Sequence, residues 1–303
     1  MKYTEVQVKE ILNDIIFNVY GKNPVILLNL WDARGEREYI DFLHSQYEKI
    51  LLDFNEIFCN NETRKHVLEI SAFLGVVDIA LAKMGFEVYA YDNPEFQKNT
   101  RLNKLYSEYN VHPSMGYLKD IWSTGLPYSD SYFDAVILSE VIEHLNFNPL
   151  PVIQEINRIL KPEGILYITT PNQVSLINRI TIILGRSIRN PLSDSVTQVD
   201  QAKNAICGIH WREYTLKELL GLLEITGFSL KKYSFSNRAE KIYLRKRFFL
   251  LMISFLNLFF PSFGNSITVI GEKKEYRRIK FWFNNEYIKY YPNRDVEKKE
   301  RKE

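Results

Sequence analysis

Cysteine is nearly absent from this chain: Cys59 and Cys207 are the only two in 303 residues. That excludes a disulfide framework, and neither residue sits in a CxxC-type ligand spacing, so no metal is expected. A reducing, cytoplasmic compartment is the default. The opening stretch MKYTEVQVKEILNDII mixes acids with apolar residues and has no basic segment ahead of an apolar run. It therefore reads as no signal peptide. The apolar run FFLLMISFLNLFF at 248–260 would reach about 20 Å as a helix, against about 30 Å of hydrocarbon, so it does not span a bilayer. It reads as a buried core helix or, with Arg245-Lys246-Arg247 at its entry, as a helix lying in a membrane interface.

Net charge is only +2, with 46% hydrophobic and 25% charged residues, which excludes disordered and collagenous classes. The small net charge conceals a polarised chain. Residues 1–230 carry 21 basic and 29 acidic side chains, and 231–303 carry 18 and 8. The basic section suits an anionic surface or a solvated face.

From Thr4 to Tyr20 the residues Val6, Val8, Ile11, Leu12, Ile15, Ile16 and Val19 recur at helical steps, and a second helical pattern covers about Glu36 to Phe58. These predict an N-terminal helical cap over 1–60. Beyond it, β-rich runs at 66–71, 86–92, 111–117, 133–139, 164–170, 229–235 and 266–271 alternate with helical stretches, most clearly 76–84, 150–160 and 215–226. That alternation predicts an α/β fold with a mostly parallel, doubly wound sheet. Pro113 cannot donate to a ladder and puts the third strand at an edge. Lys161-Pro162-Glu163-Gly164 is expected to stop one helix, and Gly227 to close another. The domain is read as 61–272 with inserts at 173–213 and 236–265, followed by a charged tail, 273–303, expected to be partly disordered.

Chemistry is concentrated where Glu69 closes the first strand, a turn through Ser71, Phe73 and Gly75 enters a helix, and Asp92 ends the next strand. Such a turn brings backbone N–H groups to a ligand, and an acid at the second strand tip can accept from ribose hydroxyls. A dinucleotide-dependent dehydrogenase is disfavoured because its GxGxxG spacing is missing.

The stretch about 61–272 resembles the class I S-adenosylmethionine-dependent methyltransferases. Their first motif, acid-x-Gly-x-Gly-x-Gly, reads here Glu69-x-Ser71-x-Phe73-x-Gly75. Ser71 is a mild departure, whereas the Phe73 ring must turn away or occupy space near the cofactor. Asp120 with Leu126-Pro127-Tyr128, the AVILSEVIEHL segment at 135–145 and RILKPEGILYITTPN at 158–172 are similar to the later motifs in order and spacing. The resemblance implies seven strands ordered 3-2-1-4-5-7-6 with the seventh antiparallel, and S-adenosylmethionine as cofactor. It implies binding at Glu69, Ser71, Phe73, Gly75, Asp92, Asp120, Ser139 and Glu140.

His210 and His144 are the candidate general bases, since imidazole titrates near neutrality. Arg212, as a clamp for an anion or a partner of Glu213, and Tyr214 are the candidate acceptor contacts. An Asn/Asp-Pro-Pro-aromatic segment after the fourth strand is missing, so base-amine methylation and a nucleic-acid partner are not expected. The expected reaction is O-methylation of a glycan, a lipid or lipid-linked acceptor, or a small metabolite, with peripheral contact to the inner membrane surface through 245–260. The rival is a catalytically silent methyltransferase-like scaffold.

Overall fold

The chain opens on α1 (Glu5–Asp14), where Thr4 and Gln7 cap each other's backbone N–H groups in a capping box. The single helix expected to Tyr20 is instead divided: α1 ends at Asp14, and Ile15–Tyr20 continues as a wider π-type turn. The computed structural model describes residues 3–27, 32–59, 63–194, 208–237 and 260–275. After α1 come α2 (Ala33–Ile57), β1 (His66–Ile70), α3 (Val76–Lys83), β2 (Glu87–Asp92), α4 (Pro94–Gln97), α5 (Thr100–Tyr109) and β3 (His112–Met115). There follow α6 (Ile121–Thr124), β4 (Phe133–Ser139), α7 (Leu150–Ile159), β5 (Leu160–Pro171), α8 (Leu176–Ile183), α9 (Leu216–Ile225), β6 (Phe228–Ser236) and β7 (Ser266–Lys273).

The seven strands lie in the order β3-β2-β1-β4-β5-β7-β6, with β7 antiparallel to both neighbours, as the resemblance implied. β3 holds an edge, where Pro113 removes no needed donor. Side chains alternate between faces with the two-residue period of a strand. Ala135 and Ile137 enter a core under α1, α2, α3 and α5, while Val136 and Leu138 enter a second core under α7 and α9.

The N-terminal helices are continuous with the first core: Val8, Leu12, Ile40, Ile50 and Phe54 are all fully buried in it. A polar bolt adds to this packing. The Tyr167 hydroxyl of β5 donates to Asp53 of α2 at 2.8 Å, and Lys49 and Lys232 hold the same carboxylate. Helix α7 stops at Ile159 with Leu160 as its C-cap, directly before Lys161-Pro162-Glu163-Gly164, as expected. The strand already begins at Leu160, and Glu163 with its left-handed φ of 61° falls where the register shifts between the Phe133 and Ala135 pairings.

The run at 248–259, most of the 236–265 insert, 195–207 of the 173–213 insert and the tail from 276 lie outside the described residues. Among the described residues no helix is long and apolar enough to cross a membrane.

Candidate functional site

Between β1 and β4 the strand order reverses direction, and in open α/β sheets ligands sit in the crevice beyond the carboxyl ends at that point. Two clusters of polar side chains meet this edge.

The first surrounds the turn from β1 to α3. Ser71, Phe73 and Gly75 all have left-handed φ, at 57°, 51° and 72°. The turn therefore follows a glycine-type path with two side chains in it, each costing about 1–2 kcal/mol. Gly75 cannot be replaced cheaply: a Cβ there would lie 2.6 Å from the Tyr106 ring. Phe73 is held by what it touches. Its ring packs edge-on against Tyr39 of α2 and Phe96 of α4, with centroids at 5.4 and 5.3 Å, and its N–H donates to Asp92 Oδ2 at 2.8 Å. Of the two positions open to the ring, it takes the one packed against the apolar core. Phe73→Gly is therefore expected to lower stability by about 2 kcal/mol, the loss of aromatic packing exceeding the relief of backbone strain, with cofactor affinity changed less than threefold. Urea unfolding beside ligand titration checks this; a tenfold gain in affinity would show that the ring intrudes on the ligand.

Three carboxyls are buried here: Glu69 on β1, Asp78 on α3 and Asp92 at the tip of β2. Tyr106 donates to Asp78 at 2.9 Å, and Asn93 N–H donates to Asp92 Oδ1 at 2.6 Å. Glu69 Oε2 and Asp78 Oδ1 have no donor to accept from. The pair is satisfied when one carboxyl keeps its proton and gives it to the other. Burial pushes the Glu69 carboxyl well above the usual carboxylate range, and the neighbouring Asp78 adds to this. Burial raises Asp78 to about 7 and Asp92 to about 7, the latter against two backbone hydrogen bonds that favour its charge. Tyr20 from the N-terminal turn donates to the Leu74 carbonyl and closes the turn from above. Sequence reasoning missed Asp78, Tyr20 and Tyr106; the lone acid in the apolar helix VVDIALA was the available signal.

Asp120 lies half-buried after β3, and its charge helps raise the Tyr91 phenol to about 12, behind burial and Tyr128. Ser139 and Glu140 leave β4 tied to β5: Ser139 Oγ lies 2.8 Å from Thr169 Oγ1, which donates to Glu140 Oε1 at 3.1 Å.

The second cluster forms after β4. Glu143 is fully buried; its Oε2 accepts from Thr170 Oγ1 at 2.8 Å, and its Oε1 has no hydrogen-bond partner. Its backbone carbonyl accepts the Trp211 N–H at 2.8 Å, and this folds 209–214 back over β4. The fold-back brings His144 and His210 together with ring centroids 4.9 Å apart. His144 Nδ1 bonds the Ile209 carbonyl at 2.8 Å, and His210 Nδ1 bonds Glu213 Oε1 at 3.2 Å. Burial raises the Glu143 carboxyl, although both histidines oppose it. Burial lowers His210, but Glu213 and the Glu143 charge outweigh it, so the net shift is upward.

The alternative pairing of Arg212 with Glu213 is not what forms. Arg212 binds Glu218 at 2.8 Å and lies over the Tyr214 ring, because Glu218 is fixed by the Thr215 capping box while Glu213 is taken by His210 and Asn178. Tyr214 is 5% exposed and packs in the second core.

A family model described as a methyltransferase domain matches residues 39–233. The ubiquinone biosynthesis O-methyltransferase of Xanthomonas campestris pv. campestris is 31% identical over 118 residues, 39% of this chain and 47% of that one. The chain thus spans about half the length of that relative. The protein of the same name from Actinobacillus pleuropneumoniae is 24% identical over 239 residues, covering 77% of this chain and 94% of that one. A solved S-adenosylmethionine-dependent methyltransferase from Archaeoglobus fulgidus aligns with TM-score 0.49 and 18% identity over 78% of this chain and 98% of that one.

Proposed function

Since the chain belongs to the class I S-adenosylmethionine-dependent methyltransferases, we propose that it is an O-methyltransferase acting on a small or lipid-linked hydroxyl acceptor. The observation that carries this reading is the turn itself, where Ser71, Phe73 and Gly75 keep the left-handed path and Asp92 latches it.

The residues fit the cofactor. Among the described residues no ion pair to a lysine or arginine is made by Glu69, Asp78 or Asp92, and three buried acids of this kind would suit a ligand that brings both an ammonium and a sulfonium. Glu69 with Asp78 would hold the cationic end. Asp92, which keeps spare lone pairs, would accept from ribose hydroxyls, with Asp120 and Tyr91 on the adenine side. When bound, S-adenosylmethionine supplies an electrophilic methyl group. The protein's share is alignment and exclusion of water, and orientation of this kind contributes about 7–11 kcal/mol in favourable models. Glu143, His144 and His210 sit at the same sheet edge and act on the acceptor hydroxyl. The relatives named for ubiquinone biosynthesis support an oxygen on a small molecule as the methylated atom. The membrane contact expected of 245–260 concerns, but for Phe260, residues outside those described, and the basic charge of 231–303 supports it.

S-adenosylhomocysteine at about 100 times its Kd is expected to stabilise the fold by about 2.7 kcal/mol. Calorimetry and thermal shift read this. Labelled methyl transfer to quinol, glycan and lipid fractions then identifies the acceptor class. Absence of saturation and of any thermal shift at millimolar ligand would leave the silent scaffold standing.

A further inference from the structure

The second cluster has the composition and preparation of a metal centre. One ligand atom from each of Glu143, His144 and His210 lies within 4.8 Å of the other two. Each imidazole is fixed through Nδ1, His144 by a backbone carbonyl and His210 by a carboxylate, which sets the tautomer and leaves Nε2 for a metal. Glu143 is fully buried, and its Oε1, which accepts no hydrogen bond, lies 4.0 Å from His144 Nε2. An orphaned carboxylate oxygen between two oriented imidazoles is costly unless something positive sits there.

We propose that Glu143, His144 and His210 bind a divalent first-row transition ion of the zinc or manganese class. Two nitrogen donors and one oxygen disfavour magnesium and calcium, which take oxygen ligands almost exclusively. Ligands at about 2.1 Å on a tetrahedral ion stand roughly 3.4 Å apart, so pairs of ligand atoms now within 4.8 Å need to close by up to about 1.4 Å. Three protein ligands leave an open position. There, an acceptor hydroxyl would coordinate and lose its proton to solvent more readily. This role rests on the O-methyltransferase reading; the binding itself does not. Glu213, through His210 Nδ1, is a positioning residue.

The test uses the chelator-stripped full-length protein titrated with cobalt(II) and with zinc(II), reading visible cobalt absorption and calorimetric stoichiometry. One ion per chain is expected. Glu143→Gln with His210→Asn should abolish both signals, and Glu213→Gln should weaken zinc binding about 10–100-fold. S-adenosylhomocysteine binding by the same variants reports that they are folded. Failure of that ligand to bind the wild-type protein would overturn the methyltransferase reading and leave the metal site intact. No ion bound by the wild-type chain, or an identical cobalt spectrum in the double variant, would overturn the metal site.

Discussion

Asp92→Ala is expected to weaken S-adenosylhomocysteine binding at least 100-fold. Hydrogen bonds to a charged group contribute about 1.5–3 kcal/mol each, and a tenfold change in affinity corresponds to about 1.4 kcal/mol. The substitution removes the proposed ribose acceptor. It also frees the Phe73 N–H, bonded to Oδ2 at 2.8 Å, so the turn loses the latch that holds its left-handed path. Asp92→Asn keeps the shape and one acceptor oxygen, and should retain part of the affinity. Glu5→Ala, on the exposed face of α1, serves as the control and should leave binding unchanged. Calorimetric titration of the three variants decides the matter, and a loss below threefold for Asp92→Ala would remove Asp92 from the site.

The stability of the ligand-free protein is expected to fall as pH rises from about 4 to about 7. Asp92 is raised from 3.8 to about 7 by burial, so the native state holds a proton that the unfolded chain has already released. A raised acid contributes its full stability below the unfolded value and loses it as pH climbs through the folded one. Three units correspond to about 4 kcal/mol as an upper bound, with about 2–3 kcal/mol of it between pH 5 and pH 7. Asp78 and Glu69 act in the same direction. Asp53 and Asp134, lowered by their lysine partners, lose their contribution only as pH falls below about 4, outside this window. Urea midpoints measured across the range should decline, and Asp92→Asn should flatten the decline. A cationic ligand favours the ionised acids, so cofactor affinity should increase over the same window with protons released on binding. A midpoint that is level or rising in the ligand-free protein would show that the acids are solvated.

The strand alternation was legible because burial on both faces writes a short, local period into the chain. The order of the motifs placed β1, β2, β4 and β5 within a few residues of where they lie. Helix ends were legible where a cap is a local device, as at Thr215 with Glu218. The widening of the first helix at Ile15 was not, since Ile15–Tyr20 continues the same apolar pattern and only its fit against α3 decides the path.

The sequence by itself determined the α/β class, the strand order through its resemblance, the positions of Glu69 and Asp92 toward strand ends and that of Gly75 at the entry to a helix, because each depends on short-range periodicity or on a motif a few residues long. The tertiary structure decided which way Phe73 points, since that turns on Tyr39, 34 positions earlier, and on Phe96. It also decided that Asp78 meets Glu69, and that His210 returns across 66 positions to His144 and Glu143. Contacts of that kind are set by sheet register and by the folding back of a loop, and no local pattern in the chain encodes either.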